Sequence, residues 1–181
     1  MKNRALYMNG KLNLAFKELD IPKPQPGEVL LKVGYCGVCG SDVHFYESGC
    51  IGTTPIKGDL ILGHEAAGTV EAVGEGVTNV KVGDRVVLEP GIGCGHCEYC
   101  KSGRYNLCPD MQFISCPPYQ GAMRNYITHP AHLVYPLPEN VSTLEGALIE
   151  PLAVGVHAVK QGTRDVRGKN VLVIGAGTIG N

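Results

Sequence analysis

The stretch Leu62-Gly63-His64-Glu65-Ala66-Ala67-Gly68 sets an imidazole beside a carboxylate and runs into the apolar alternation of residues 69–74. Glycines on either side and the alternation that follows read as a loop delivering two metal-capable side chains into a strand. A buried histidine bonded to a neighbouring acid would leave the same trace. Further donors sit elsewhere: a thiol at Cys39, followed by Ser41-Asp42-Val43-His44, and a glutamate before a proline at Glu150-Pro151. With His64 and Glu65 these supply the parts of a three-ligand zinc site that keeps an open position.

A second constellation is local. Cys94, Cys97, Cys100 and Cys108 follow one another at spacings x2, x2 and x7. Tetrahedral zinc takes four soft ligands, and thiolates this close repel one another unless a cation lies between them. Such a site has no open position, so it is structural: it clamps a lobe too small for its own core. Disulfides, a redox Cys-x-x-Cys pair and an iron–sulfur cluster are the alternatives. A third motif closes the chain, where Lys169 to Ile174 is a buried-type strand running into Gly175-Ala-Gly177-Thr-Ile-Gly180. Gly-x-Gly-x-x-Gly after a strand is the phosphate turn of a dinucleotide-binding fold.

The elements that must position these groups are short. Asn9-Gly10 suits a type I′ hairpin between residues 4–8 and 12–16, and the proline-rich run from Pro22 to Gly27 forbids regular pairing. Glu28 to Tyr35 is a strand apolar on almost both faces. Ser41-Asp42 caps a short helix carrying His44 and Phe45. Further short strands at regular spacing predict a small, partly open barrel, mainly β with short helices. Ser142-Thr143-Leu144-Glu145 is a capping box opening a helical segment, and Pro151 stands where a helix restarts.

Bulk properties agree. The chain has 181 residues, 44% of them apolar, and enough length to bury a sizeable core. A formal net charge of -1 without a long run of one sign gives no basis for a nucleic-acid or anionic-membrane partner. Residues 1–10 lack the apolar core of a secretion signal, and no stretch approaches a membrane span, so a cytoplasmic protein is expected. In that compartment eight cysteines point to metal or reduced thiols before disulfides.

The pattern Gly63-His64-Glu65-x2-Gly68-x5-Gly74-x2-Val77 resembles the zinc-containing alcohol dehydrogenase signature of the medium-chain dehydrogenase/reductase family. The runs Cys39 to His44, Gly103 to Cys108, Pro117-Pro118-Tyr119-x-Gly121-Ala122 and Ala147 to Gly155 resemble most closely its sorbitol (L-iditol) and xylitol dehydrogenase branch. The resemblance implies a GroES-like barrel with a structural zinc lobe over residues 1–150, then the first helix and strand of a truncated Rossmann domain over 151–181. It implies catalytic zinc on Cys39, His64 and Glu65, with Glu150 bonding the zinc's water or exchanging with it as a ligand. Structural zinc falls on the four clustered cysteines. Ser41 would accept the substrate's proton and His44 pass it to solvent, with Asp42 fixing the His64 tautomer; Ser41 as a plain helix cap, His44 as an exposed residue and Asp42 as a plain capping acid are the alternatives. The activity implied is NAD-dependent oxidation of a polyol's secondary alcohol to a ketose, with 2,3-butanediol and threonine dehydrogenases sharing most of these motifs. The pyrophosphate of NAD would meet Gly175, Gly177 and Gly180. The helix and acidic residue that complete such a site lie beyond Asn181, so the chain alone is expected not to turn over. A homo-oligomer is expected, and a catalytically silent zinc module that self-associates through the exposed segment Val171 to Ile174 is the alternative of another class.

Overall fold

The computed structural model describes residues 2–162 and 165–181. The amino terminus forms the expected hairpin, in which β1 (Asn3–Met8) and β2 (Leu14–Leu19) pair from Asn3↔Leu19 to Met8↔Leu14. Its turn is wider than the two-residue form read from Asn9-Gly10. A type I′ turn needs positive φ at both central residues, whereas here Gly10 and Leu12 take φ of 79° and 58°. The Asn9 N–H closes the loop on the Asn13 carbonyl at 3.2 Å.

In chain order there follow β3 (Glu28–Cys36), helix α1 (Gly40–Ser48), and three short strands, β4 (Cys50–Ile51), β5 (Thr54–Pro55) and β6 (Leu60–Ile61). After them come β7 (Ala66–Val73), β8 (Arg85–Leu88), β9 (Gly91–Ile92), helix α2 (Glu98–Lys101) and β10 (Gln112–Phe113). The last elements are β11 (Tyr126–Pro130), β12 (Val134–Pro136), α3 (Thr143–Gly146) and α4 (Ile149–Gly162).

Five strands form an antiparallel sheet in the order β11-β3-β7-β8-β12, and a second sheet runs β2-β1-β6. The two join where the Leu6 N–H donates to the Met123 carbonyl at 2.9 Å and where the Asn3 side chain both donates to and accepts from the Tyr126 backbone. Among the described residues β11 and β12 do not pair with each other, which leaves the barrel partly open. Its core is aliphatic: Val29, Leu31, Val70, Val86, Leu88, Ile127 and Val134 form one buried cluster. Only the first half of β3 is buried on both faces; Tyr35, near its end, is 49% exposed.

The capping box at Ser142 forms as read. Its hydroxyl accepts the Glu145 N–H at 3.2 Å, and Glu145 Oε2 accepts the Ser142 N–H at 2.7 Å. Pro151 is buried in the first turn of α4, where its missing N–H leaves no bond unmade. Beyond it the helix turns apolar side chains to solvent, Leu152 at 59% and Val159 at 52%.

One expected element is absent. Val171 to Ile174 form no strand, and Leu172 and Ile174 are 85% and 92% exposed. A parallel strand of this apolar type is held by neighbours on its edges and covered on its faces; no described residue pairs with it. The glycines after it still turn, with Gly175 at φ 101° and the Gly180 N–H on the Gly177 carbonyl at 3.2 Å. Residues 163 and 164 lie outside the described residues. Among the described residues no helix is long and apolar enough to cross a membrane.

Candidate metal centres

Two antiparallel neighbours, β3 and β7, bring the dispersed donors together. A register shift between Val33 and Tyr35 bends the end of β3, and the strand passes through Cys36 into the turn leading to Cys39. There the Gly37 N–H donates to the Glu65 carbonyl at 2.8 Å. A Cβ on Gly37 would lie 2.1 Å from Glu65 Oε2, so glycine is what leaves room for that carboxylate. Gly63 has φ 87°, and a Cβ on it would fall 2.6 Å from the Cys36 sulfur. These two close approaches let segments 36–39 and 63–65 touch. One donor atom from each of Cys39, His64 and Glu65 then lies within 4.8 Å of the others. His64 and Glu65 are buried and Cys39 is half-buried.

Asp42 ties the same segments together from beneath. It is 3% exposed, and its Oδ2 accepts the Cys39 N–H at 2.9 Å while Oδ1 accepts the Gly63 N–H at 3.1 Å and the Ser115 hydroxyl at 3.2 Å. Among the described residues His64 makes no bond to Asp42, whose oxygens serve the backbone next to two donors and Ser115 instead. The cap of α1 shifts as well: Cys39 occupies the N-cap, and Asp42, at the third helical position, reaches back to it. Neither Ser115 nor Phe113, whose ring meets His64 edge-on at 5.2 Å and 62°, carries a signal in the sequence.

Glu150, half-buried in the first turn of α4, stands outside the group of donors within 4.8 Å. Its carboxyl is raised above the ordinary range chiefly by burial; His64 opposes the rise and Glu65 adds to it. It is thus close enough to feel both donors. Ser41 and His44 lie on α1, the first half-buried and the second exposed, and neither makes a side-chain hydrogen bond among the described residues. A cavity of about 500 Å³ beside the site is lined by Phe113, Glu150, Glu89, Tyr105 and Tyr135, with the Tyr135 hydroxyl donating to Glu89 Oε2 at 2.8 Å. Cys36 belongs to neither donor set. Burial, then the charges of Asp42 and Glu65, push its thiol up to about 12.

Donor atoms of Cys94, Cys97, Cys100 and Cys108 also lie within 4.8 Å of one another. All eight cysteines are free, and Cys94 and Cys100 approach to 4.0 Å, far beyond a disulfide bond. Backbone N–H groups point at the sulfurs: those of Cys94, Cys97 and Cys100 donate to Cys108, Cys94 and Cys97, each at 3.4 Å. The N–H groups of His96 and Cys97 draw the Cys94 thiol down to about 6, whereas desolvation and the surrounding thiols push Cys100 up to about 12. Four thiols so placed cannot all ionise without a cation among them. The donor set fits tetrahedral zinc.

A partly open antiparallel barrel that carries one sulfur–nitrogen–oxygen donor set and one four-thiol loop is a metal-binding domain of the GroES-like kind. The chain belongs to the alcohol dehydrogenase GroES-like domain family, which matches residues 25–139. It is 46% identical over 180 residues to a probable D-xylulose reductase A of Aspergillus fumigatus, covering 99% of this chain and 50% of that relative. To the sorbitol dehydrogenase of Macaca fascicularis it is 49% identical over 179 residues, covering 99% of this chain and 50% of the relative. A crystal structure of an Escherichia coli oxidoreductase/dehydrogenase of unknown specificity superposes with a TM-score of 0.93 at 46% identity, over 99% of this chain and 52% of that one. The chain thus spans about half the length of the curated relatives it matches.

Proposed function

We propose that this chain is the zinc-binding catalytic domain of a polyol dehydrogenase, which oxidises a secondary alcohol of a sorbitol- or xylitol-like substrate to the ketose with NAD as hydride acceptor. The observation that carries this reading is the meeting of Cys39, His64 and Glu65 with Glu150 alongside. Three mixed donors suit zinc with one position left open. Zinc bound there supplies Lewis acidity, which brings an alcohol's pKa toward neutrality. Asp42 holds the backbone that carries Cys39 and precedes His64, and the Phe113 ring braces the imidazole. Glu150, close enough for His64 and Glu65 to act on its carboxyl, would bond the zinc's water or exchange with it as a ligand. Ser41 takes the substrate proton and His44, exposed on the same helix, passes it to solvent. Gly175, Gly177 and Gly180 meet the pyrophosphate of NAD. The names of the two relatives support a polyol over 2,3-butanediol or threonine.

Zinc content tests the assignment. The chain should hold two tightly bound zinc ions, and Cys39→Ser and Cys97→Ser should each hold one. With cobalt in place of the Cys39-linked ion, xylitol should shift the visible absorption bands, and 2,3-butanediol should shift them less. A chain free of metal, or bands indifferent to both alcohols, would refute the reading.

A second reading draws on the exposed apolar segment Val171 to Ile174: the chain is a silent zinc module that pairs with a second copy through it. Sedimentation separates the two, since a concentration-independent monomer rules out such pairing.

A further inference from the structure

His96, between Cys94 and Cys97, and Asp110, two residues past Cys108, stand outside the four-thiol donor set, and both are exposed. Gly95, at φ 77°, turns the chain so that His96 Nδ1 lies 2.9 Å from the Cys94 carbonyl oxygen. A carbonyl can only accept, so Nδ1 carries a proton, and Nε2 is the ring nitrogen left to offer a lone pair to a cation. Asp110 is held from the other side. The Cys94 N–H donates to the Cys108 sulfur at 3.4 Å, and the Met111 N–H donates to the Cys108 carbonyl at 3.2 Å, which folds residues 108–111 into a turn beside Cys94. One donor atom each from Cys94, the His96 ring and Asp110 lies within 4.8 Å of the others.

We propose that Cys94, His96 and Asp110 form an additional, solvent-facing site for a borderline-soft divalent cation, sharing the Cys94 sulfur with the four-thiol set and acting as its port for ion exchange. The proposal rests on the four-thiol set holding zinc. Four thiolates around one divalent ion leave the loop negatively charged, and Asp110 adds to that field, so a second cation is drawn to this face. A thiolate keeps lone pairs after binding one ion and bridges to another. Sulfur, nitrogen and oxygen donors together select zinc or cadmium over magnesium or calcium, which take oxygen alone. Because His96 and Asp110 face water, an arriving or departing ion is held by them and Cys94 while the other three thiols stay together.

The zinc-loaded full chain, dialysed against micromolar zinc with magnesium in large excess, should hold one weakly bound zinc beyond its tightly bound complement. His96→Ala combined with Asp110→Ala should lose that weak zinc and keep the tight ones. Exchange of the lobe's zinc for an isotopically distinct zinc, followed by mass spectrometry of the intact protein, should slow, because the arriving or departing ion loses its holding site; mere loosening of the lobe would speed it instead. His96→Ala alone removes only an exposed ring and should act in the same direction. Variants that still take up the extra zinc, or that exchange at the wild-type rate or faster, overturn the proposal. A wild-type lobe with no tightly held zinc overturns instead the four-thiol reading beneath it.

Discussion

Residues 94–108 gather four thiols within one loop, whereas Cys39, His64 and Glu65 meet only because β3 and β7 lie side by side. The loop has almost no core: neither α2 nor the 3₁₀ turn at Tyr105–Leu107 buries a side chain. Besides its hydrogen bonds, only bonds to an ion would supply the hold that packing does not. The dispersed set instead stands on the aliphatic barrel and is held by backbone bonds that need no ion, from Gly37 to Glu65 and from Cys39 and Gly63 to Asp42. One centre is made by its metal, and the other is made ready for it.

The sharpest break in this contrast would come from Cys97→Ser. Structural zinc contributes on the order of 10 kcal/mol to small metal-dependent folds. The variant should therefore lose amide-exchange protection across residues 94–108 while β3 and β7 keep theirs. Hydrogen exchange read by mass spectrometry checks this, and loss of protection in both regions would erase the distinction.

Acid should weaken the barrel by its own route. His129 is buried, its Nε2 lies 2.8 Å from the Glu89 carbonyl, and desolvation holds it at about 4 against an ordinary 6.5. The unfolded chain takes up that proton first, so the stability is present above pH 6.5 and is lost as pH falls toward 4. The loss amounts to roughly 3 kcal/mol at most. Urea titrations at pH 7 and pH 5 should show it, and His129→Gln should flatten the difference.

A smaller effect is expected at Asp42. Replacing it with alanine strands two backbone N–H groups at a cost of about 2 kcal/mol, and zinc affinity at the dispersed site should fall roughly ten- to a hundredfold. The four-thiol site should not respond, and Asp42→Asn should recover part of the loss. Competition with a chelator measures both affinities; an equal fall at the two sites would mean that they are not independently built. Least of all, Ser142→Ala should cost about 1 kcal/mol through the lost cap of α3, seen as a lower denaturation midpoint with both zinc ions retained.

The four cysteines could be read from sequence because their spacing is itself the geometry, and the barrel because short alternating strands leave a period. The pairing of Cys39 with His64 and Glu65 came from resemblance, since it depends on which strands are neighbours. Sequence left Asp42 open between two parts, and the structure shows the capping one: a carboxylate three residues after Cys39 looks alike whether it bonds an imidazole or backbone N–H groups. Ser115, which shares Asp42 from 73 residues away, gave no sign at all. Val171 to Ile174 have a strand's composition, but no described residue pairs with them, and composition alone does not supply partners.

The Cys36 thiol, shut in beside Gly63 and pushed up to about 12, stays protonated near neutral pH. Alkylating reagents attack thiolates, so they should pass it by and find Cys94, drawn down to about 6, whenever the four-thiol loop is empty. The speed of labelling at Cys94, followed by peptide mapping, would then act as a gauge of how full the loop is, with Cys36 staying unlabelled.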